Sequence, residues 1–123
     1  MVYIKILYMT AMDPRPNLSK HVNELLVLAC LRTGPAHGYE IALAVERDSG
    51  GAFSFQHGTL YPILHRLEKD RLIRGSWEGK GRKKKTYELT SKGDAYLKGE
   101  TREVKTLFLN LIQVLEGPAY ALG

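Results

Sequence analysis

A lone cysteine, a lone tryptophan and no long apolar run are what this 123-residue sequence first withholds. With Cys30 alone, no internal disulfide can form, and its neighbours Val27, Leu28, Ala29 and Leu31 make it read as a small core residue in a reducing cytoplasm. No stretch approaches the roughly 18 apolar residues that a membrane-spanning helix needs. The apolar segment 1–12 is broken by Lys5, has no basic start and shows no convincing cleavage site, so a signal peptide is not expected. The four histidines (His21, His37, His57, His65) and Cys30 lack zinc-ligand spacing, and no nucleophile motif occurs. Neither metal, cofactor nor enzymatic activity is therefore expected, and the chain reads as a cytoplasmic protein with one main core.

What is present is positive charge, unevenly spread. Residues 1–60 carry five basic and five acidic side chains, whereas residues 61–123 carry thirteen basic and eight acidic ones, so the net charge of +5 belongs to the second half. Five of the six residues from Lys80 to Lys85 are basic. Such a run is either a solvated loop or the tip of an anion-binding surface, and its surroundings have to decide.

Taken in order, residues 1–12 alternate Val2, Ile4 and Ile6 and are expected to form a short strand, an arm on a partner subunit or an extension, with the prolines at 14 and 16 interrupting any continuation. A first helix is expected from an Asn17 or Ser19 cap to about Arg32, with Val22, Leu25, Leu26, Ala29 and Cys30 as its buried stripe. A second runs from His37 or Gly38 to Ser49, with Ile41, Ala44 and Val45 inward, and ends at Gly50 and Gly51. Because Pro62 cannot supply an intrahelical amide, the third is expected to begin near Gly58 or Thr59, with Thr59 as cap. At 100° per residue, its Leu60, Ile63, Leu64 and Leu67 share one side; Pro62, His65, Arg66 and Lys69 lie opposite, with Tyr61 at the border.

Two short strands, 72–77 and 86–89, follow around the basic turn, with Trp77 and Tyr87 expected to pack across them. A long helix then runs from Ser91 towards Glu116. Its Leu97, Thr101, Val104, Phe108, Leu111 and Leu115 are spaced by alternating fours and threes, a heptad-like seam with more apolar surface than so small a monomer covers. A homodimer through Leu97, Val104, Phe108, Leu111 and Leu115 is the expectation. The fold class is mainly α with a small β-hairpin: an arm (1–17), a winged helix-turn-helix (18–90) and a C-terminal dimerisation helix (91–117).

The residues Gly58 to Pro62, Leu64, Arg66 to Glu68, Leu72, Ile73, Trp77, Gly81, Arg82, Tyr87, Leu89, Thr90 and Gly93, in that order and spacing, resemble the PadR family of transcriptional regulators, as does the turn Gly34, Pro35, His37, Gly38, Tyr39. The single C-terminal helix is similar to the short-tailed branch of that family. The resemblance implies a homodimeric repressor of a pseudo-palindromic operator in double-stranded DNA, released by a small-molecule effector that the sequence does not name. It also implies DNA contacts from Thr59, Tyr61, Pro62 and Arg66 on the third helix and from Arg82, Lys83, Lys84 and Lys85 on the wing; His65 and Lys69 join them from the helical-face reading alone. Structural alternatives stand beside these: Tyr61 as a boundary core residue, and Arg66 paired with Asp70 one turn on. Two departures are plain. Arg71 stands where the family usually has glycine at the helix end, and the only tryptophan lies on the wing, not on the dimerisation helix where some relatives hold planar drugs. An interaction module and a nonspecific DNA binder are the rival functions, separable by whether retention on DNA survives competitor.

Overall fold

The computed structural model describes residues 14–79 and 84–117. Helix α1 (Pro14–Cys30) continues into a 3-10 turn (Leu31–Thr33). It starts earlier than expected, because proline fits the first turn of a helix, where an amide has no intrahelical acceptor to lose. Neither Asn17 nor Ser19 is then its cap, and residues 14–17 of the expected arm belong to α1. Its fully buried residues are Val27 and Leu28, followed by Leu31 in the turn; Leu25, Leu26, Ala29 and Cys30 are only partly covered. The expected stripe was thus rotated slightly off the face that meets the core.

A two-residue strand β1 (Ala36–His37), not expected from sequence, leads into α2 (Gly38–Asp48). The His37 amide donates to Glu40 Oε1 at 2.9 Å, which satisfies one free donor at the start of α2. At the other end Gly50, with φ 62°, and Gly51 return their amides to Arg47 and Glu46, closing the helix in a left-handed turn. Ile41 and Val45 point into the core as expected.

Helix α3 (His57–Lys69) also starts earlier than Pro62 suggested, with Gln56 and not Thr59 at the cap position. Pro62 is the sixth helical residue, and the acceptor it fails to serve is the Gly58 carbonyl four residues back. That turn is exposed, so water can take the lost bond, and Thr59 N–H bonds instead to Gln56 O at 3.0 Å. Leu60, Ile63, Leu64 and Leu67 are buried together, as the helical face required.

The end of α3 carries the clearest departure from ordinary backbone. Arg71 has φ 62°, among the described residues the only non-glycine with positive φ. Its amide bonds to Glu68 O (3.0 Å) and that of Leu72 to Leu67 O (2.9 Å), the paired bonds of a Schellman turn whose left-handed position glycine usually fills. Arginine therefore bears the strain there.

Strands β2 (Ile73–Glu78) and β3 (Lys84–Leu89) form the wing; β1 adds to β3, giving an antiparallel sheet of order β1-β3-β2. The register pairs Trp77 with Lys85, Gly75 with Tyr87 and Ala36 with Tyr87 on the other side. Thr90 then caps α4 (Ser91–Glu116): its hydroxyl accepts from Gly93 N–H (3.0 Å) and donates back to the Arg71 carbonyl (2.7 Å). One threonine so joins the wing, the end of α3 and the start of α4. Leu97 enters the same core as Val27, Leu28, Leu64 and Ile73. No described helix is long and apolar enough to cross a membrane.

Candidate nucleic-acid interface

Burying four leucine and isoleucine side chains on one side of α3 turns the opposite side outward. Thr59, Tyr61, Pro62, His65 and Lys69 are all exposed there. Tyr61 leans over the start of α2: a β-carbon placed on buried Gly38 would lie 3.4 Å from its Cε1 and Oη. The ring is nonetheless 56% exposed, so its contact with Gly38 orients it without covering it.

Arg66 departs from both sequence-based alternatives. Its guanidinium turns back to Glu24 of α1, and not outward with His65 and Lys69 or to Asp70. Both side chains are largely covered, at 30% and 15% exposure. The helical wheel had placed its Cα correctly, but a long side chain can curl around the helix to an acidic partner.

The wing divides its basic run in the same way. Arg82 and Lys83 lie outside the described residues, as do Lys80 and Gly81. Lys84 is exposed, whereas the ammonium of Lys85 points inward to Glu68 Oε1 of α3 at 2.8 Å. Successive residues of a strand face opposite sides, so one lysine is free to meet an anion and the next is held by the protein. The Lys85 pKa is raised above its ordinary 10.5, chiefly by the hydrogen bond to Glu68, with desolvation working against it.

Two aromatic residues join this surface that sequence reasoning had not assigned to it. Trp77 is 65% exposed, because its cross-strand partner is Lys85 and Tyr87 sits diagonally. The Lys85 ammonium lies near both rings, 5.6 Å from the indole centroid and 5.5 Å from that of Tyr87. Tyr39, at the start of α2, is 70% exposed. Together with His37, Tyr61, His65 and Lys84 these rings line an open cleft of about 840 Å³ between α2, α3 and the wing. Glu40 and Glu68 also line this cleft, so Lys84 is its exposed cation and a phosphate would be met at that edge. No sequence signal marks Trp77, which is flanked by Ser76 and Glu78; Tyr39 follows Gly38 at the turn into α2.

On the far side of the head, α4 leaves Phe108, Leu111 and Leu115 exposed and Val104 half-buried. Leu97 has to be withdrawn from this set, since it is 2% exposed and part of the protomer's own core. An apolar cleft of about 720 Å³ lies between α1 and α4, lined by Val22, Leu26, Ala29, Phe53, Val104 and Phe108.

Residues 27–99 match the transcriptional regulator PadR-like family. The chain belongs to that family. A PadR family transcriptional regulator from Eggerthella lenta superposes with a TM-score of 0.70 at 28% identity, over 96% of this chain and 99% of that one. PadR of Bacillus subtilis, solved in complex with operator DNA, gives 0.60 at 29% identity over 65% of this chain and 45% of its own. An uncharacterized protein of Lysinibacillus sphaericus is 30% identical over 92 residues, which span 68% of this chain and 84% of that protein. As a PadR-like transcriptional regulator, the chain has the family's winged-helix head, and the matched range runs from α1 through the wing to the first turns of α4.

Proposed function

We propose that this chain is a cytoplasmic, sequence-specific transcriptional repressor that binds a pseudo-palindromic operator as a homodimer and leaves it when an effector changes the angle between the two heads. The observation that carries this reading is the outward side of α3, where Thr59, Tyr61, Pro62, His65 and Lys69 are all exposed and from which Tyr61 and His65 share one cleft with Lys84 of the wing. A helix placed so is able to enter a major groove while the wing follows the backbone. From the sequence, Arg82 and Lys83 of the basic run between β2 and β3 are proposed to add phosphate contacts. The operator complex of Bacillus subtilis PadR supports the mode of binding by likeness.

Dimerisation follows from the apolar side chains of α4. Phe108, Leu111 and Leu115 would each gain by leaving water, at about 1.5–3 kcal/mol per fully buried side chain, and a second copy supplies the matching surface along Val104 and α1. Two α3 helices related by a two-fold axis require half-sites about one helical turn apart, roughly 10 bp or a multiple.

Selection of bound duplexes from a random library, followed by anisotropy titration of the winners at physiological salt with excess random DNA, tests the whole reading. Inverted half-sites at helical spacing are the expected result. Retention that is equal for all sequences and vanishes with salt would leave only a nonspecific binder.

A further inference from the structure

Lys85 sits at a junction that a phosphate-binding lysine does not need. Its ammonium donates to Glu68 Oε1 at 2.8 Å and stands 5.6 Å from the Trp77 ring centroid and 5.5 Å from that of Tyr87. Its backbone carbonyl lies 3.2 Å from Nδ1 of His37, at the start of α2. The side chain is 26% exposed and that of Glu68 31%, so the pair is mostly withdrawn from water.

The sequence clears space for this pair. A β-carbon on Gly75 would come 2.4 Å from Lys85 Cε and 2.7 Å from Glu68 Oε2, closer than any side chain permits. Gly75 is an intermediate-burial strand residue with no positive φ, so the backbone does not require glycine there. What favours it is the lysine stem crossing β2 to reach α3, since a side chain at 75 would have to push the ends of Lys85 and Glu68 aside. Glycine weakens a strand, and here the compensation is a charged hydrogen bond between the wing and the groove-facing helix.

We propose that Lys85 is a positioning residue: with Glu68, in the room left by Gly75, it latches the wing to α3 at the angle that lets both meet one duplex. Its charge is spent on Glu68, so it contributes geometry to DNA binding, and the counterion release at this end of β3 comes from Lys84. This inference rests on the DNA-binding reading, and it makes an opposite prediction from a phosphate-contact role. If Lys85 met phosphate, Glu68→Gln would free its charge, and affinity and salt slope would both rise. As a latch, the same substitution loosens the wing and weakens binding.

The test uses the full chain and the tightest duplex that the wild-type protein selects, titrated across a salt series with Lys85→Met, Lys84→Met, Glu68→Gln, the Lys85→Met/Glu68→Gln double variant and the exchanged pair Lys85→Glu/Glu68→Lys. Lys85→Met and Glu68→Gln are each expected to weaken binding roughly five-fold, with little further loss in the double variant, and with the salt slope unchanged. Lys84→Met is expected to lower the slope by about 0.9. The exchanged pair should regain most of the affinity. Tighter binding by Glu68→Gln, or a slope drop in Lys85→Met equal to that of Lys84→Met, overturns the latch while leaving the regulator intact.

A DNA-free measurement keeps the two failures apart. Hydrogen exchange of the β2 and β3 amides, together with the emission of Trp77, the only tryptophan, should change alike in Lys85→Met and Glu68→Gln and stay put in Lys84→Met. If neither wing exchange nor Trp77 emission responds to losing Lys85, the latch is wrong whatever the protein does with DNA.

Discussion

Gly93 lies directly against the Leu72 backbone: a β-carbon there would sit 2.0 Å from the Leu72 carbonyl oxygen and 2.8 Å from Leu89 Cδ1. The first turn of α4 thereby touches the segment joining α3 to β2, where Thr90 N–H also bonds to Leu72 O at 3.2 Å. This contact fixes how the long helix leaves the head, and so how two heads would be spaced across a dimer.

Gly93→Ala is accordingly expected to destabilise strongly, although Ala favours helix over glycine. Helix propensity gives back about 1 kcal/mol, whereas overlap with a backbone oxygen that cannot swing aside costs about 3 kcal/mol. Chemical denaturation should show the net loss, and a wild-type midpoint in the variant would mean that α4 can tilt freely at its start.

Arg71 gives the opposite sign. With φ 62° in the Schellman turn after α3, it bears a conformation that costs a side-chain-bearing residue about 1 kcal/mol. Arg71→Gly should therefore stabilise, by less than that figure because glycine also loosens the unfolded chain. Arg71→Val should destabilise, since β-branching penalises positive φ further. Equal melting temperatures for the three proteins would show the turn to be unstrained.

How far the sequence could be read is clearest at these positions. The apolar faces of α2 and α3, the wing and the bounds of α4 follow from local rules, because periodicity and end signals act within a few residues; the left-handed position at Arg71 is pointed to only by the family resemblance, in which glycine usually stands there. The start of α3 did not, since Pro62 was weighed by its missing amide alone, while an exposed second turn tolerates that loss. Strand β1 has two residues and no pattern; its pairing with Thr86 and Tyr87 is a tertiary fact. The resemblance implies DNA contacts for Arg66 and Lys85, yet each finds a carboxylate on another element, Glu24 and Glu68, and side-chain reach across elements is invisible to a motif, a helical wheel or a charge run. Strand alternation between Lys84 and Lys85 was the one signal that could have divided the basic run beforehand.

Protonation equilibria point to alkaline loss of stability. Burial pushes the Cys30 thiol above its ordinary 9.0, with Asp48 adding to the rise and Arg47 opposing it. Burial likewise raises Tyr87 and Tyr96, and the Glu68 hydrogen bond raises Lys85. In each case the folded chain holds its proton to higher pH than the unfolded chain does. The associated stability is complete below about pH 9 and falls as pH rises through the folded values. Denaturation midpoints should be flat from pH 7 to 8.5 and drop beyond. Cys30 should also react slowly with a disulfide reagent at pH 8 compared with the urea-unfolded chain. Stability that rises above pH 9 would contradict these assignments.

Phe108 and Leu111 test the proposed dimer. Both are exposed on the protomer, so Phe108→Glu with Leu111→Glu should leave the head folded, with its thermal transition retained at high protein concentration. If α4 is the interface, losing two such side chains weakens association by at least roughly a hundred-fold, from about 1.5–3 kcal/mol each. Sedimentation should then find the variant monomeric at micromolar concentration where the wild type is dimeric, and operator affinity should fall with it. A wild-type protein that is itself monomeric there would remove α4 as a self-association surface.

Arg66 separates stability from recognition. Because its guanidinium turns to Glu24 of α1, Arg66→Ala strands a largely covered carboxylate, an arrangement that costs about 2–3 kcal/mol when one partner of a shielded pair is lost. Glu24→Gln in the same chain removes the stranded charge and should recover part of that loss, which a double-mutant cycle reads directly. The set of duplexes selected from random DNA should meanwhile keep its base preferences, with any loss of affinity spread evenly over sequences. His65→Ala should do the reverse, leaving the melting temperature within a degree or two, as expected for an exposed side chain, while altering the selected half-site. Should Arg66→Ala melt normally and select a different half-site, the guanidinium must leave Glu24 when DNA arrives, and the ion pair would be a resting position of a base-reading arginine.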